Sequence, residues 1–208
     1  IFYTKVANAG FLTSLYTVFT PFLLWISFRE RPHWLDAIAV TAAVGGAYLL
    51  SSAGQGLEFQ QGDGLIFLGA VFWALHFVIL GKFASRYESV AFAAGQFLVC
   101  GLLNLAVGLV MENPGQLTAL PMLGAIVYRG LMSVGLGYTL QVWGQSHTPP
   151  TDAALILGLE SVFAALAGWL ILSQFLLPVQ VIGCIIIFAA VMLSQLKFLL
   201  PREKSLGQ

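Results

Sequence analysis

Charge is scarce in this sequence. Nine basic and nine acidic residues make up 9% of its 208 positions, where a soluble domain carries about 25%. So few charges cannot clothe a water-facing surface, which excludes an ordinary soluble enzyme. The two signs cancel, so no net field recruits a polyanion and nucleic acid is excluded as a partner. Cysteine is nearly absent. Cys100 and Cys184 both lie in apolar runs, so a disulfide framework is not expected and both read as small packing residues. The three histidines, His33, His76 and His147, are scattered without metal-ligand spacing. There is no phosphate-binding glycine loop and no G-x-S-x-G elbow. A nucleophile with a base or a metal beside it cannot be assembled. No cofactor or metal is therefore expected. Hydrophobic residues fill the gap at 59%, with a mean hydropathy of +0.89. That excludes a disordered chain and predicts burial in lipid. No charged segment and cleavage site follow Ile1, so no signal peptide is expected, and the chain reads as one without its natural beginning.

A bilayer core of about 30 Å needs about 20 apolar residues in a helix. Seven runs qualify: Val6–Phe28, Leu35–Ala53, Gly64–Phe83, Val90–Met111, Ala119–Trp143, Ala153–Ser173 and Leu177–Leu200. Short polar joints separate them, the longest from Gly54 to Asp63. None can house an extramembrane domain. Strand-like alternation is missing, so the spans are predicted to be helices rather than barrel strands.

Lysine and arginine orient the spans. One side of the membrane collects Arg29, Arg31, Lys82, Arg86, Lys197, Arg202 and Lys204, and the other has Lys5. Arg129 lies within a span. The first side is expected to be cytoplasmic, which puts the C-terminus inside and the acidic joint with Glu58 and Asp63 outside.

The sequence also compares with itself at an offset of 144 residues. Thr4 falls on Thr148, Leu15 on Leu159, Val18 and Phe19 on Val162 and Phe163, Trp25 on Trp169, Ile38 on Ile182 and Leu49 on Leu193. The first span and its counterpart are an odd number of spans apart, so the copies run in opposite directions. That pattern reads as an inverted-topology repeat. The expected fold class is an all-α integral membrane protein, a helical bundle from a 5+5 inverted repeat with seven transmembrane helices present. The expected divisions are residues 1–61, the end of the first repeat with two helices, residues 62–200, the second repeat with five, and a cytoplasmic tail at 201–208.

The stretch Thr148-Pro149-Pro150-Thr151-Asp152-Ala153-Ala154-Leu155-Ile156-Leu157-Gly158-Leu159-Glu160-Ser161-Val162-Phe163 resembles the ninth-helix signature of EamA-type transporters, within the drug/metabolite transporter superfamily. Gly137 to Gln145 looks like the end of that family's eighth helix, and Phe28-Arg29-Glu30-Arg31-Pro32 like the basic close of its fourth. Ser161 and Ser173-Gln174 depart from the pattern, where the family often has Pro and Gly-Glu. The resemblance covers the chain as helices four to ten of ten. It implies a secondary transporter of small organic solutes (amino acids, related metabolites or drugs) in the plasma membrane, working by alternating access.

Ionisable and polar groups within spans are the candidate site, because each is costly there. Glu160 stands seven residues into its span, about 10 Å from the cytoplasmic end. A buried carboxyl favours its protonated form, which suits proton coupling. A structural carboxyl bonded to neighbouring groups is the alternative. Tyr16 is its counterpart in the other copy, so one pseudo-twofold site can present a hydroxyl and a carboxyl. Arg129 reaches similar depth and either pairs with Glu160 or snorkels outward. His76 is a structural or a proton-relay histidine. Gln96 shares a face with Asn104, which reads as interhelical glue. Gln141 and Gln145 either line an inner vestibule or sit at the interface. Gly130, Gly135 and Gly137 either let the fifth span bend or pack closely, and Thr148 before two prolines reads as an N-cap. No second carboxylate is expected to accompany Glu160 in a span. The expected partners are a small-molecule substrate and the lipid bilayer, with a homodimer possible. The rivals are a membrane-embedded enzyme acting on lipid, marked by two titratable groups in one cavity, and a structural membrane protein, marked by a solid interior. A channel is weakened by the absence of a ring of like charge.

Overall fold

The computed structural model describes residues 3–58, 60–111 and 120–199. The joint at 112–118, Ala119, Leu200 and the tail with Arg202 and Lys204 lie outside the described residues. The helices are α1 (Val6–Ser14), α2 (Tyr16–Phe28), α3 (Trp34–Ser52), α4 (Asp63–Phe83), α5 (Ser89–Met111), α6 (Leu120–Tyr128), α7 (Thr139–Gln145), α8 (Pro150–Leu157), α9 (Glu160–Leu172) and α10 (Pro178–Leu196). A 3-10 turn at Ala84–Arg86 follows α4, and a π-helical stretch at Arg129–Tyr138 joins α6 to α7. Among the described residues, seven helical segments are long and apolar enough to cross a membrane. They coincide with the expected runs to within a few residues, except that the fifth is counted from Leu123.

The chain divides into two compact units, residues 1–78 with 149–208, and residues 79–148. The first is built on α3 and α10, which pack along their whole length. Gly46 of α3 faces Gly183 of α10 so closely that a Cβ on either would come within 2.7 Å or 2.6 Å of the other's carbonyl oxygen. Only glycine fits there, which is how small residues let membrane helices approach. Gln180 Nε2 donates to the Leu50 carbonyl at 3.1 Å, and Lys197 reaches back to Asp36. Partner numbers fall as numbers rise, so α3 and α10 are antiparallel. Around this pair, α1 and α2 pack on α3, α8 packs on α2, α3 and α10, and α9 on α10. Ala39, Val40, Ala43, Leu155, Ala190 and Val191 form the core between them.

The backbone of this unit repeats at the offset read from the sequence. Lys5 and Pro149, 144 residues apart, are the extended residues before α1 and α8. Leu15 and Leu159, at the same offset, interrupt the two helices with ψ of −13° and −15°. There Leu15 N bonds Leu12 O at 3.3 Å and Leu159 N bonds Ile156 O at 3.0 Å, the tighter three-residue turn. Just past each break a hydroxyl takes up a carbonyl: Thr17 Oγ1 donates to Ser14 O and Ser161 Oγ to Gly158 O, both at 2.8 Å. Arg29 and Ser173 then end α2 and α9 in the left-handed conformation, φ 57° and 54°, a common way for a helix to stop. His33 and Leu177 open α3 and α10, each followed three residues later by a side chain, Asp36 or Gln180, that accepts the opener's own backbone N–H. Thr148 is not the cap expected from the sequence. Pro149 holds that place, because α8 starts at Pro150.

In the second unit α5 packs on α7, and the 3-10 turn touches both. Leu80, Ala84, Ala93 and Val142 are its buried centre, with Phe92 and Phe97 against them. Gly130, Gly135 and Gly137 all fall in the π-helical stretch, where the wider turn is uncommon and is found mostly as local bulges at functional sites.

Candidate functional site

The two breaks position the first pair of candidates. Tyr16 is the first residue of α2 and Glu160 the first residue of α9. The start of a helix favours a carboxylate in its first turn, and here Ser161 N and Phe163 N stay bonded to carbonyls across the break. Glu160 occupies that place in α9. Tyr16 is buried with Ala74, Phe77 and Ala154, while Phe19, Leu23, Trp73 and Leu157 pack around it. Glu160 is exposed, where the sequence reading has it enclosed.

His76 joins Tyr16 through aromatic rings. Tyr16 lies 5.0 Å from Phe77 between centroids, and His76 stands edge-on to Trp73 at 5.6 Å and 6.3 Å from Phe77. The imidazole is half-buried. Tyr16 and His76 therefore share one aromatic neighbourhood of the first unit, and Glu160 lies in the same unit. Trp25 and Trp169, counterparts in the two copies, are exposed to nearly the same extent, 50% and 47%, as helix-anchoring rings would be.

The remaining candidates lie in the second unit. Gln141 Nε2 donates to Gln145 Oε1 at 3.2 Å, one turn along α7, and Gln145 is buried. Gln96 is half-buried, and its Nε2 is buried with no hydrogen-bond partner among the described residues. Arg129 is exposed at the start of the π-helical stretch. Asn104 does not bridge helices as expected. Its Nδ2 donates to Cys100 O at 2.8 Å, four residues back on its own helix. Cys100 and Cys184 are free thiols.

Two polar clusters were not anticipated as sites. At one end of the first unit, the Asp63 carboxylate accepts from Thr4 Oγ1, from Asn8 Nδ2 at 2.7 Å and from Gln60 N at 2.9 Å. Lys5 and Glu58 pair beside it at 2.6 Å. The Lys5 ammonium holds the Glu58 carboxyl below its usual range, first by its hydrogen bond and then by its charge. Where α3 starts and α10 finishes, Lys197 lies 2.6 Å from Asp36 Oδ1 and 2.7 Å from Asp152 Oδ1. A pocket of about 240 Å³ opens beside this trio, lined by Glu30, Arg31, His33, Asp36, Thr151 and Lys197 among others. The helices thus take in Asp36, Asp63 and Asp152, against the expectation that Glu160 has no fellow carboxylate in a span. The sequence counted Lys197 only towards orientation and assigned Asp152 to a joint. One signal was available: the 144-residue offset sets Asp152 on Asn8, a polar position in both copies.

The EamA-like transporter family matches residues 60–196. An uncharacterised transporter of Archaeoglobus fulgidus is 29% identical, over 94% of this chain and 62% of its own length. The threonine/homoserine exporter RhtA of Escherichia coli K12 is 25% identical, over 94% of this chain and 66% of its own. The chain thus spans a little under two thirds of both relatives. A solved crystal structure superposes with a TM-score of 0.78 at 18% identity, over 93% of this chain and 68% of that one, a likeness of fold.

Proposed function

This chain belongs to the EamA-like transporter family, and from that premise we propose that it is the larger part of a secondary transporter. Small organic solutes (amino acids, related metabolites or drugs) cross the plasma membrane by alternating access. Residues 1–61 close the first repeat, residues 62–200 form the second, and the tail at 201–208 lies in the cytoplasm. One observation carries the reading. Two helices 144 residues apart are broken at equivalent leucines, and a Tyr and a Glu restart them. Discontinuous helices with their restarted ends at mid-membrane are how many transporters build a solute site.

In this reading Tyr16 and Glu160 are the polar pair of the solute site, with Glu160 the coupling carboxylate. His76 stands by as a relay through the aromatic cluster it shares with Tyr16. Gln96, Arg129 and Gln141 are polar contacts along the solute path. The names of relatives as transporters favour this over a lipid-acting enzyme, and a relative that exports threonine and homoserine favours amino acids among the solutes. The test is a thermal-shift screen of amino acids and amphipathic drugs on the full-length protein, followed by uptake in proteoliposomes. A stabilising solute that is also taken up supports the reading. Binding without uptake in sealed, correctly folded vesicles contradicts it.

A further inference from the structure

The polar ends of the first unit differ in one respect. Asn8 and Asp152 occupy equivalent positions of the two copies, one turn or less into α1 and α8. Both are buried, at 2% and 0% exposure. At the Asn8 end a neutral amide feeds a carboxylate, and Asp63 is satisfied by three donors. At the Asp152 end a second carboxylate stands where the amide would be. Asp36 and Asp152 share the single ammonium of Lys197.

The hydrogen bonds of the trio are unequal. Asp36 uses both oxygens, Oδ1 with Lys197 at 2.6 Å and Oδ2 with the His33 backbone N–H at 3.3 Å. Asp152 Oδ1 meets the same ammonium at 2.7 Å, and its Oδ2 is buried with no hydrogen-bond partner among the described residues. Two carboxylates sharing one ammonium leave one negative charge uncompensated out of water, and burial favours neutralising that excess charge.

Among the described residues the neighbouring elements supply no second cation within ion-pair distance of Asp152. From α3 the group facing it is Asp36, and from the end of α10 it is Lys197. From α2, apolar Pro21 and Leu24 line the adjoining pocket. Beyond them Glu30, Arg31 and His33 line the same pocket, and His33 Nδ1 is engaged by the Leu35 N–H.

We propose that Asp36, Asp152 and Lys197 form a proton-binding site, distinct from the Tyr16 and Glu160 pair, in which Asp152 takes the proton. A solvent proton enters through the pocket beside Asp36, Thr151 and Lys197 and forms an O–H bond on the Asp152 carboxylate. No bond is broken, and the trio passes from one net negative charge to neutrality. The loaded site pins α3 to α8 and α10. The empty site leaves two carboxylates repelling each other at that end. Only the use of this pin in transport rests on the transporter reading; the proton site itself does not.

The test is an infrared pH titration of the full chain in detergent, following the C=O band of protonated carboxyls. One such band, growing in as the pH is lowered, is expected in the wild type and in Glu160→Gln. It is lost in Asp152→Asn, which installs the neutral amide found at the Asn8 end. In Asp36→Asn it is expected to need about tenfold more protons to appear, because the neighbouring negative charge is gone. If Asp152→Asn does not fold, the Asp36→Asn titration decides alone. A band that persists in Asp152→Asn, a titration unmoved by Asp36→Asn, or a site that responds to sodium at fixed pH overturns the proposal. Loss of the band in Glu160→Gln alone assigns it to the other pair and overturns it as well.

Discussion

Tyr16 and Glu160 are 144 residues apart, and each is the first residue of a helix that resumes after a break. The burial of the two differs: the phenol is packed among Phe77, Ala74 and Ala154, and the carboxylate is exposed. The equivalence is one of backbone. Openers, breaks and left-handed ends recur at the same offset; the breaks keep leucine, while the side chains at the openers and ends have diverged. A repeat that keeps its frame and changes its polar groups can give one side of a molecule chemistry that the other side lacks.

The Gly46–Gly183 contact predicts a clear mutational contrast. Gly46→Ala and Gly183→Ala each put a Cβ under 3 Å from backbone of the opposing helix, and overpacking of that kind costs about 1–3 kcal/mol. Gly45, next door, has nothing within 4 Å of where a Cβ would sit, so Gly45→Ala leaves stability unchanged or slightly raised. Thermal unfolding in one detergent measures all three. Equal stability of Gly46→Ala and Gly45→Ala contradicts the close crossing.

Much of the architecture was legible before any coordinates. Seven long apolar runs with few charges can only be spans, and the 144-residue offset followed from shared Thr, Val-Phe and Trp positions. The breaks were not legible, because Leu15 and Leu159 are ordinary helix formers and the interruption lies in ψ. Nor was the Lys197 trio. Its members come from three helices and meet only because α3 and α10 run antiparallel. Asn104 misled for the opposite reason: an amide on an apolar helix bonds its own backbone as readily as a neighbour's.

Glu88 sets a second prediction, with a definite sign. Its carboxylate accepts from Ala91 N at 2.6 Å and Val90 N at 3.0 Å at the start of α5, and these bonds hold the carboxyl below its usual range. A depressed acid stabilises the fold above its unfolded value and loses that contribution as pH falls through the folded one. Amide exchange at Val90 and Ala91, corrected for intrinsic pH dependence, is therefore expected to speed up on acidification. Glu88→Ala shows the fast exchange at neutral pH and no further acid step. Unchanged exchange in that variant removes the cap.

Orientation is open to a reporter assay. The basic residues Arg29, Arg31, Lys82, Arg86 and Lys197 are expected in the cytoplasm, with Lys5, Glu58 and Asp63 outside. A cysteine at Glu58 should be labelled by an impermeant reagent in intact cells, and one at Arg31 only after permeabilisation. The reverse labelling pattern refutes the assignment.

Proton-linked uptake by Glu160→Gln in proteoliposomes bears most directly on the transporter reading. With the variant folded and reconstituted as wild type is, the account predicts that uptake of a solute found by the binding screen is lost or no longer depends on pH. Uptake equal to wild type, with the same pH dependence, contradicts it.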